Sequence, residues 1–220
     1  MNSIYLSNIS PWAPGLAEDS EAWKAWAMGN MEISQDKESP KLEYTDPLFR
    51  RRLSQISKMT VQVVHNLLEK ENIDKDTKIV FVSLRGEIER EFTINKGLIE
   101  DGIILPAGFS LSVFNTPVAL ATLAFKLTGG YSVLYPSKNN FADAFKTAVA
   151  PILAGTEKQI IFVYADEVVP KNYGDKTPKD NTPLAFATLI TSEKKDNSIE
   201  ISDFSQLYES PSEFLKFVIQ

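Results

Sequence analysis

Between Pro47 and Asn72, Leu53, Ile56, Thr60, Val63, Val64 and Leu67 recur at three- and four-residue spacing, which predicts an amphipathic helix. Two other stretches are continuous rather than periodic. Lys78 to Leu84 (KIVFVSL) and Gln159 to Ala165 (QIIFVYA) are short, β-branched apolar runs, the pattern of strands buried on both faces. The remaining elements are arranged around Phe109 to Ala144. This stretch predicts an apolar helix from Thr116 to Leu127, stopped by Gly129-Gly130, then a strand from Tyr131 to Tyr135. A polar turn from Pro136 to Asn140 opens a second amphipathic helix that runs to Leu153 and is capped by Gly155. Asn115 or Thr116 caps the first of these helices, with Pro117 in its first turn.

The flanking pattern supplies the other elements. Ser3 to Ile9 reads as a strand ended by Pro11, and Ser20 as the cap of a short helix. Glu87 to Glu100 is a helix with Ile88, Phe92, Asn95 and Ile99 on one side, ended by Gly102. Pro106 to Ser112 is a loop leading to the central helix, and the charged Asp166 to Asn181 is an exposed loop followed by a strand from Leu184 to Thr191. A turn at Asp196-Asn197 leads to Ile199-Glu200-Ile201, and Ser210 to Ile219 is a terminal helix. Alternation of this kind predicts one α/β layered domain over residues 1–220 with a largely parallel sheet.

Composition narrows the chemistry. A net charge of −6 and a pI near 5.0 argue against a nucleic-acid or anionic-membrane binder, which needs a basic face. With no cysteine, disulfides, thiolate metal sites and a cysteine nucleophile are excluded. The single histidine, His65, excludes a multi-histidine metal site; it lies one position off the apolar stripe of its helix, as an ordinary half-exposed helix histidine does. Neither a signal peptide nor a transmembrane run is present in these 220 residues, so the cytoplasm is the expected location. No metal or cofactor is expected.

Three local features invite a functional reading. Trp12, Trp23 and Trp26 suit either a ligand platform or, better, the anchoring of a loop onto the core. Arg50-Arg51-Arg52 falls in the first turns of the predicted helix, where the dipole disfavours cations. It is either an anion contact, for a phosphate or an acidic carrier protein, or a solvated face paired with nearby acids. The Asp166-Glu167 pair reads as strand-end charge, and no phosphate cradle, nucleophile elbow or zinc helix motif occurs.

Three segments carry a resemblance: Ser10-Pro11-Trp12-Ala13-Pro14-Gly15; Val82 to Glu87 (VSLRGE) with Phe109 to Asn115 (FSLSVFN); and Val163 to Glu167 (VYADE). Over residues 3–191 the chain resembles the β-ketoacyl synthase-like proteins called chain length factors, which are similar to the N-terminal half of thiolase-fold ketosynthases. The resemblance implies a thiolase-like half-fold, a mostly parallel or mixed five-stranded sheet with helices on both faces. It implies a non-catalytic subunit that pairs with a ketosynthase, in pathways building polyenes such as aryl polyene or flexirubin pigments on an acyl carrier protein. Ketosynthases carry their nucleophilic cysteine in the turn after the third strand. Here that turn is the vestigial Tyr135, Pro136, Ser137, and Pro136 removes one N–H from it. The helix and strand that pair across the ketosynthase two-fold axis make Asn115, Phe125, Tyr131 and Val133 the interface candidates, in a heterodimer or a homodimer. Two other readings stay open: a stand-alone acyltransferase or hydrolase using Ser137 with His65, and an acyl-chain-binding module.

Overall fold

The computed structural model describes residues 3–136, 140–173, 181–204, 208 and 210–219. The backbone runs β1 (Ile4–Trp12), α1 (Ser20–Ala27), α2 (Pro47–Arg50), α3 (Gln55–Lys70), β2 (Ile79–Val82), α4 (Ile88–Asp101), α5 (Pro106–Phe109) and α6 (Thr116–Phe125). It continues through β3 (Tyr131–Leu134), α7 (Phe141–Leu153), β4 (Gln159–Asp166), β5 (Leu184–Thr191), β6 (Ile199–Ile201) and α8 (Pro211–Ile219). The strands form one sheet in the order β3-β2-β4-β5-β1-β6. Strand β2 pairs parallel with β3 and β4, while β4–β5, β5–β1 and β1–β6 are antiparallel. The sheet is therefore mixed and has six strands rather than five, because the short β6 adds to β1.

Side-chain alternation on the buried strands assigns each helix to a face. Val80, Val82, Ile160, Phe162, Phe186 and Ile190 point to a core shared with α1, α7 and α8. Their neighbours Ile79, Phe81, Ile161, Val163, Ala185 and Ala187 point to a second core with α3 and α6. The first face is filled by rings, with Phe141, Phe145, Phe162, Phe186 and Phe214 in mutual contact. The second carries alanines at 165, 185 and 187, which leave room for the buried helix α3 to lie close to the sheet. The tryptophans are core anchors, all three buried, and Trp23 Nε1 donates to the carbonyl of Ala17 at 2.9 Å.

Several sequence expectations change. Strand β1 continues through Pro11 to Trp12. Past Leu6 it has no β6 partner, so an edge tolerates the missing N–H, and the register shifts between Ser7 and Ser10. Asp19, not Ser20, caps α1, accepting from Glu21 N at 2.9 Å and Ala22 N at 3.2 Å. The long helix expected from Pro47 is two helices, since Asp46 and Ser54 each act as an N-cap. Arg50-Arg51-Arg52 thus spans the C-terminal end of α2 rather than opening a long helix, so the dipole of α2 favours it. Among the described residues no ion pair holds these arginines; Arg50 donates to the Leu42 carbonyl at 3.2 Å. The Pro106 loop contains the helical turn α5, and α6 ends at Lys126 in the left-handed region (φ 55°), before the glycine pair.

Gly129 has a packing role instead. A β-carbon there would lie 2.0 Å from the Asp76 carbonyl oxygen, so the chain entering β3 crosses the 75–77 backbone in contact. Gly129→Ala is expected to destabilise the fold by about 3 kcal/mol, because a backbone neighbour yields less than a side chain. Urea unfolding measures it; a loss below ~1 kcal/mol would show that the two segments separate freely.

Candidate functional site

The apolar runs of β2 and β4 each end in polar residues, and parallel pairing brings those ends together. Asp166, the last residue of β4, is fully buried. Its carboxylate accepts from Ser83 Oγ at 2.7 Å, Leu84 N at 3.1 Å, Arg85 N at 3.0 Å and Tyr164 OH at 2.6 Å. Burial pushes the Asp166 carboxyl above its ordinary value, while the Arg85 guanidinium and these donors oppose the rise. Arg85 also donates to the Glu167 carbonyl at 3.1 Å, closing the turn after β2 onto the end of β4.

Two further carboxyls lie one step outward. Glu87 accepts from Ser54 Oγ at 2.7 Å, from Ser57 Oγ, and from Arg90 Nε at 3.0 Å. Glu167, only 2% exposed, receives backbone N–H groups from the first turns of two helices, Glu89 N of α4 at 3.0 Å and Ile56 N of α3 at 3.4 Å. Burial raises the Glu167 carboxyl to about 8, with the charges of Glu87 and Glu89 adding to the rise. Asp166-Glu167 therefore does not begin an exposed loop, as its charge suggested. The signal available was position: carboxylates abutting a buried apolar run sit at the carboxyl edge of a sheet, where sites in α/β folds gather.

The turn after β3, expected to be vestigial, comes to the same edge. Ser83 N donates to the Leu134 carbonyl at 3.3 Å, so the residues after β3 lie beside those after β2. Phe114 joins them. Its ring meets Tyr135 edge-on at 5.7 Å and sits where a β-carbon on Gly86 would be 2.6 Å away. Tyr135 is exposed and Pro136 buried; Ser137 lies outside the described residues. His65 is on α3, on the sheet face opposite the helix α7 that this turn opens. It stacks on Tyr44 at 3.6 Å and lies 5.8 Å from the Phe125 ring. Its surroundings are those of an aromatic stack.

The interface candidates occupy the opposite edge of β2. Among the described residues β3 pairs with β2 alone, leaving its outer edge open. Asn115, expected to cap α6, makes no cap bond and instead donates to Tyr131 OH at 2.9 Å. Phe125 and Val133 are half-buried, and Leu123, two residues before Phe125, is 71% exposed. The apolar surface extends well beyond the foreseen residues, through Ile99, Ile103, Leu105, Phe109 and Val113, all exposed. Helix α4 has no buried residue at all. Alternation predicted its apolar side but not that the side would lack a cover.

Layered helices on both faces of this mixed sheet, with the site at the parallel strand ends, define a thiolase-like ketosynthase fold. Residues 23–213 match the β-ketoacyl synthase N-terminal domain family, and the chain belongs to it. Among solved structures, it is similar to a chain of the ketosynthase ApeO in complex with its chain length factor ApeC from Xenorhabdus doucetiae. That match has 29% identity and a TM-score of 0.70, over 86% of this chain and 79% of that one. The ishigamide ketosynthase/chain length factor matches in fold, with 11% identity, a TM-score of 0.68, and 86% and 62% of the two chains covered. A type II acyl-carrier protein complex with its hexaketide-bound ketosynthase, AntDE:AntF, also matches in fold, at 16% identity and a TM-score of 0.63, over 87% and 63%. The chain thus spans 79% of the first of these and less than two thirds of the other two. No curated protein matches. Among the described residues no helix is long and apolar enough to cross a membrane.

Glu167 makes stability depend on pH. Its folded value near 8 lies above the ordinary 4.5, so between these the folded chain keeps a proton that the unfolded chain releases. The stabilisation is complete below the ordinary value and is lost as pH rises through the folded one. Urea midpoints are expected to fall between those two values, and Glu167→Gln, with the same shape and no titration, to flatten the decline; an unchanged slope in that variant would assign it elsewhere.

Proposed function

We propose that this chain is a chain-length-factor-type subunit, inactive alone, that pairs with a β-ketoacyl synthase. The observation that carries this reading is the uncovered apolar surface along α4, α5, α6 and β3, next to an open strand edge. Contiguous exposed apolar surface of this kind marks a protein contact, and an unpaired edge strand is a template for pairing. Asn115, Phe125, Tyr131 and Val133 lie within or beside that surface and are assigned to the interface. The neighbour at 29% identity, a ketosynthase in complex with its chain length factor, supports the assignment.

Absence of catalysis follows from the chemistry of the turn. Carbon–carbon condensation on an acyl thioester needs a nucleophile to hold the acyl group and N–H donors for the oxyanion. The chain has no cysteine, and Pro136 supplies no N–H. Tyr135, Pro136 and Ser137 are read as the remnant of the ketosynthase elbow. The subunit's role is to bound the tunnel that limits acyl length, in the cytoplasm, on carrier-bound chains of the aryl polyene or flexirubin type. Residues 1–220 act as a single ketosynthase-like domain in this reading, with no cofactor.

Co-expression with a ketosynthase of the same pathway is expected to give one complex on size exclusion at micromolar concentration. Leu105→Asp and Leu123→Asp change exposed positions, so they should spare folding and weaken pairing at least tenfold, about 1.4 kcal/mol. Intact mass after incubation with acyl-carrier thioester should show no acyl adduct on this chain. Separate elution of the wild-type proteins, or an adduct lost in Ser137→Ala, overturns the proposal.

A further inference from the structure

The β6 edge of the sheet, at the opposite end from β3, carries a cavity of about 200 Å3. Its floor is the buried Ile201 and Phe214. Phe214 is fixed there by its contacts with Phe141, Phe145 and Phe186 at 5.3, 4.9 and 5.8 Å. Two partly exposed rings stand over this floor, Tyr208 and Phe217, 36% and 40% exposed, with centroids 5.3 Å apart. The exposed Glu200, Ser202 and Asp203 complete the described lining. A single exposed aromatic is ordinary on a protein surface. Two in contact, above a third locked into the core and beside two acids, make a shaped surface.

Charge selects the ligand chemistry. Among the described residues no lysine or arginine lines this cavity. Lys216 precedes Phe217 on α8, but its ammonium lies over the Trp26 ring at 5.2 Å, and Lys195 pairs with Glu71 at 3.0 Å. From Asp196 through Glu213 every charged residue is acidic. Glu200 accepts from Ser3 Oγ at 2.6 Å and forms no ion pair among the described residues, so its position is held while its charge stays uncompensated. Such a field draws a cation, and the negative faces of aromatic rings hold one that gives up its water readily. Sodium and ammonium are strongly hydrated and lose more than a ring returns. An alkylated ammonium has no N–H left to satisfy and lays methyl groups against the rings and floor. The volume lies below the ~300–1,000 Å3 of drug-sized sites, which limits the occupant to a small head group.

We infer that this cavity binds an alkylated ammonium group, of the trimethylammonium kind, on the Tyr208 and Phe217 rings with Glu200 as its counter-charge. The site lies at the sheet edge away from β3, so it does not rest on the pairing proposed above. A free small compound and a lipid head group both offer this chemistry, and the test separates them.

The test titrates the full chain with choline chloride, balanced by sodium chloride at constant ionic strength, and follows the amide signals of Ser202 and Phe217 by two-dimensional NMR. Saturable shifts in the millimolar range are expected. The uncharged carbon counterpart of choline, 3,3-dimethylbutan-1-ol, should bind about fivefold more weakly, because it keeps the shape and loses the charge. Phe217→Leu and Glu200→Gln, both at exposed positions, should each lower choline affinity about fivefold, with thermal melts confirming folding. Cosedimentation with phosphatidylcholine vesicles that is lost in Phe217→Leu assigns the ammonium to a lipid head group; choline binding without it assigns a free small compound. Absence of saturable shifts, equal binding of the uncharged alcohol, or wild-type affinity in either folded variant overturns the inference.

Discussion

The carboxylate of Asp166 is the point on which the architecture turns. Its four partners come from the β2 strand end, the turn after it and the neighbouring side chain Tyr164, so a single buried group ties the two central parallel strands to the start of α4. Charged groups buried this deeply are tolerated only when their hydrogen-bonding capacity is satisfied. With that condition met, Ser83, Arg85 and Gly86 have no freedom of position. Gly86 takes a positive φ under the Phe114 ring, and that ring seats the turn after β3 through Tyr135.

From this hub the molecule closes on two sides and stays open on a third. One face is sealed by interlocking phenylalanines, the other by α3 lying close over small residues. The remaining direction, past β3 and along α4 to α6, has neither a strand nor a helix over it among the described residues. The family's usual reactive turn points to this same edge, yet it holds tyrosine and proline. In the proposed reading, chemistry is withdrawn from the strand ends and the uncovered surface serves a partner subunit.

Glu87 and Glu167 share that edge and couple it to two helix starts. Each carboxyl reaches the first turn of α3, through Ser54 and Ser57 or through Ile56 N, and the first turn of α4, through Arg90 or Glu89 N. Anionic or polar caps at helix N-termini are ordinary. Burial is what raises the Glu167 carboxyl, against the two helix N–H groups, which favour its anion.

Periodicity alone placed nearly every strand and helix, because β2, β4 and β5 are apolar on both faces and α3 and α7 on one, and these patterns are local. The motifs VSLRGE, FSLSVFN and VYADE pointed to the right family for the same reason: they are contiguous residues whose order is visible. The split between α2 and α3 was missed because apolar spacing continues across it, and only the paired caps Asp46 and Ser54 mark the break. Tertiary structure decided what no window contains. Asp166 and Glu167 look like loop charges until a parallel pairing 83 residues away in the chain surrounds Asp166 with Ser83, Leu84 and Arg85. The exposure of Ile99 and Leu105 was equally hidden, since an apolar residue is the same letter whether its helix is covered or not. Burial is a property of what lies across from a residue, and a chain states its neighbours in sequence, not those in space.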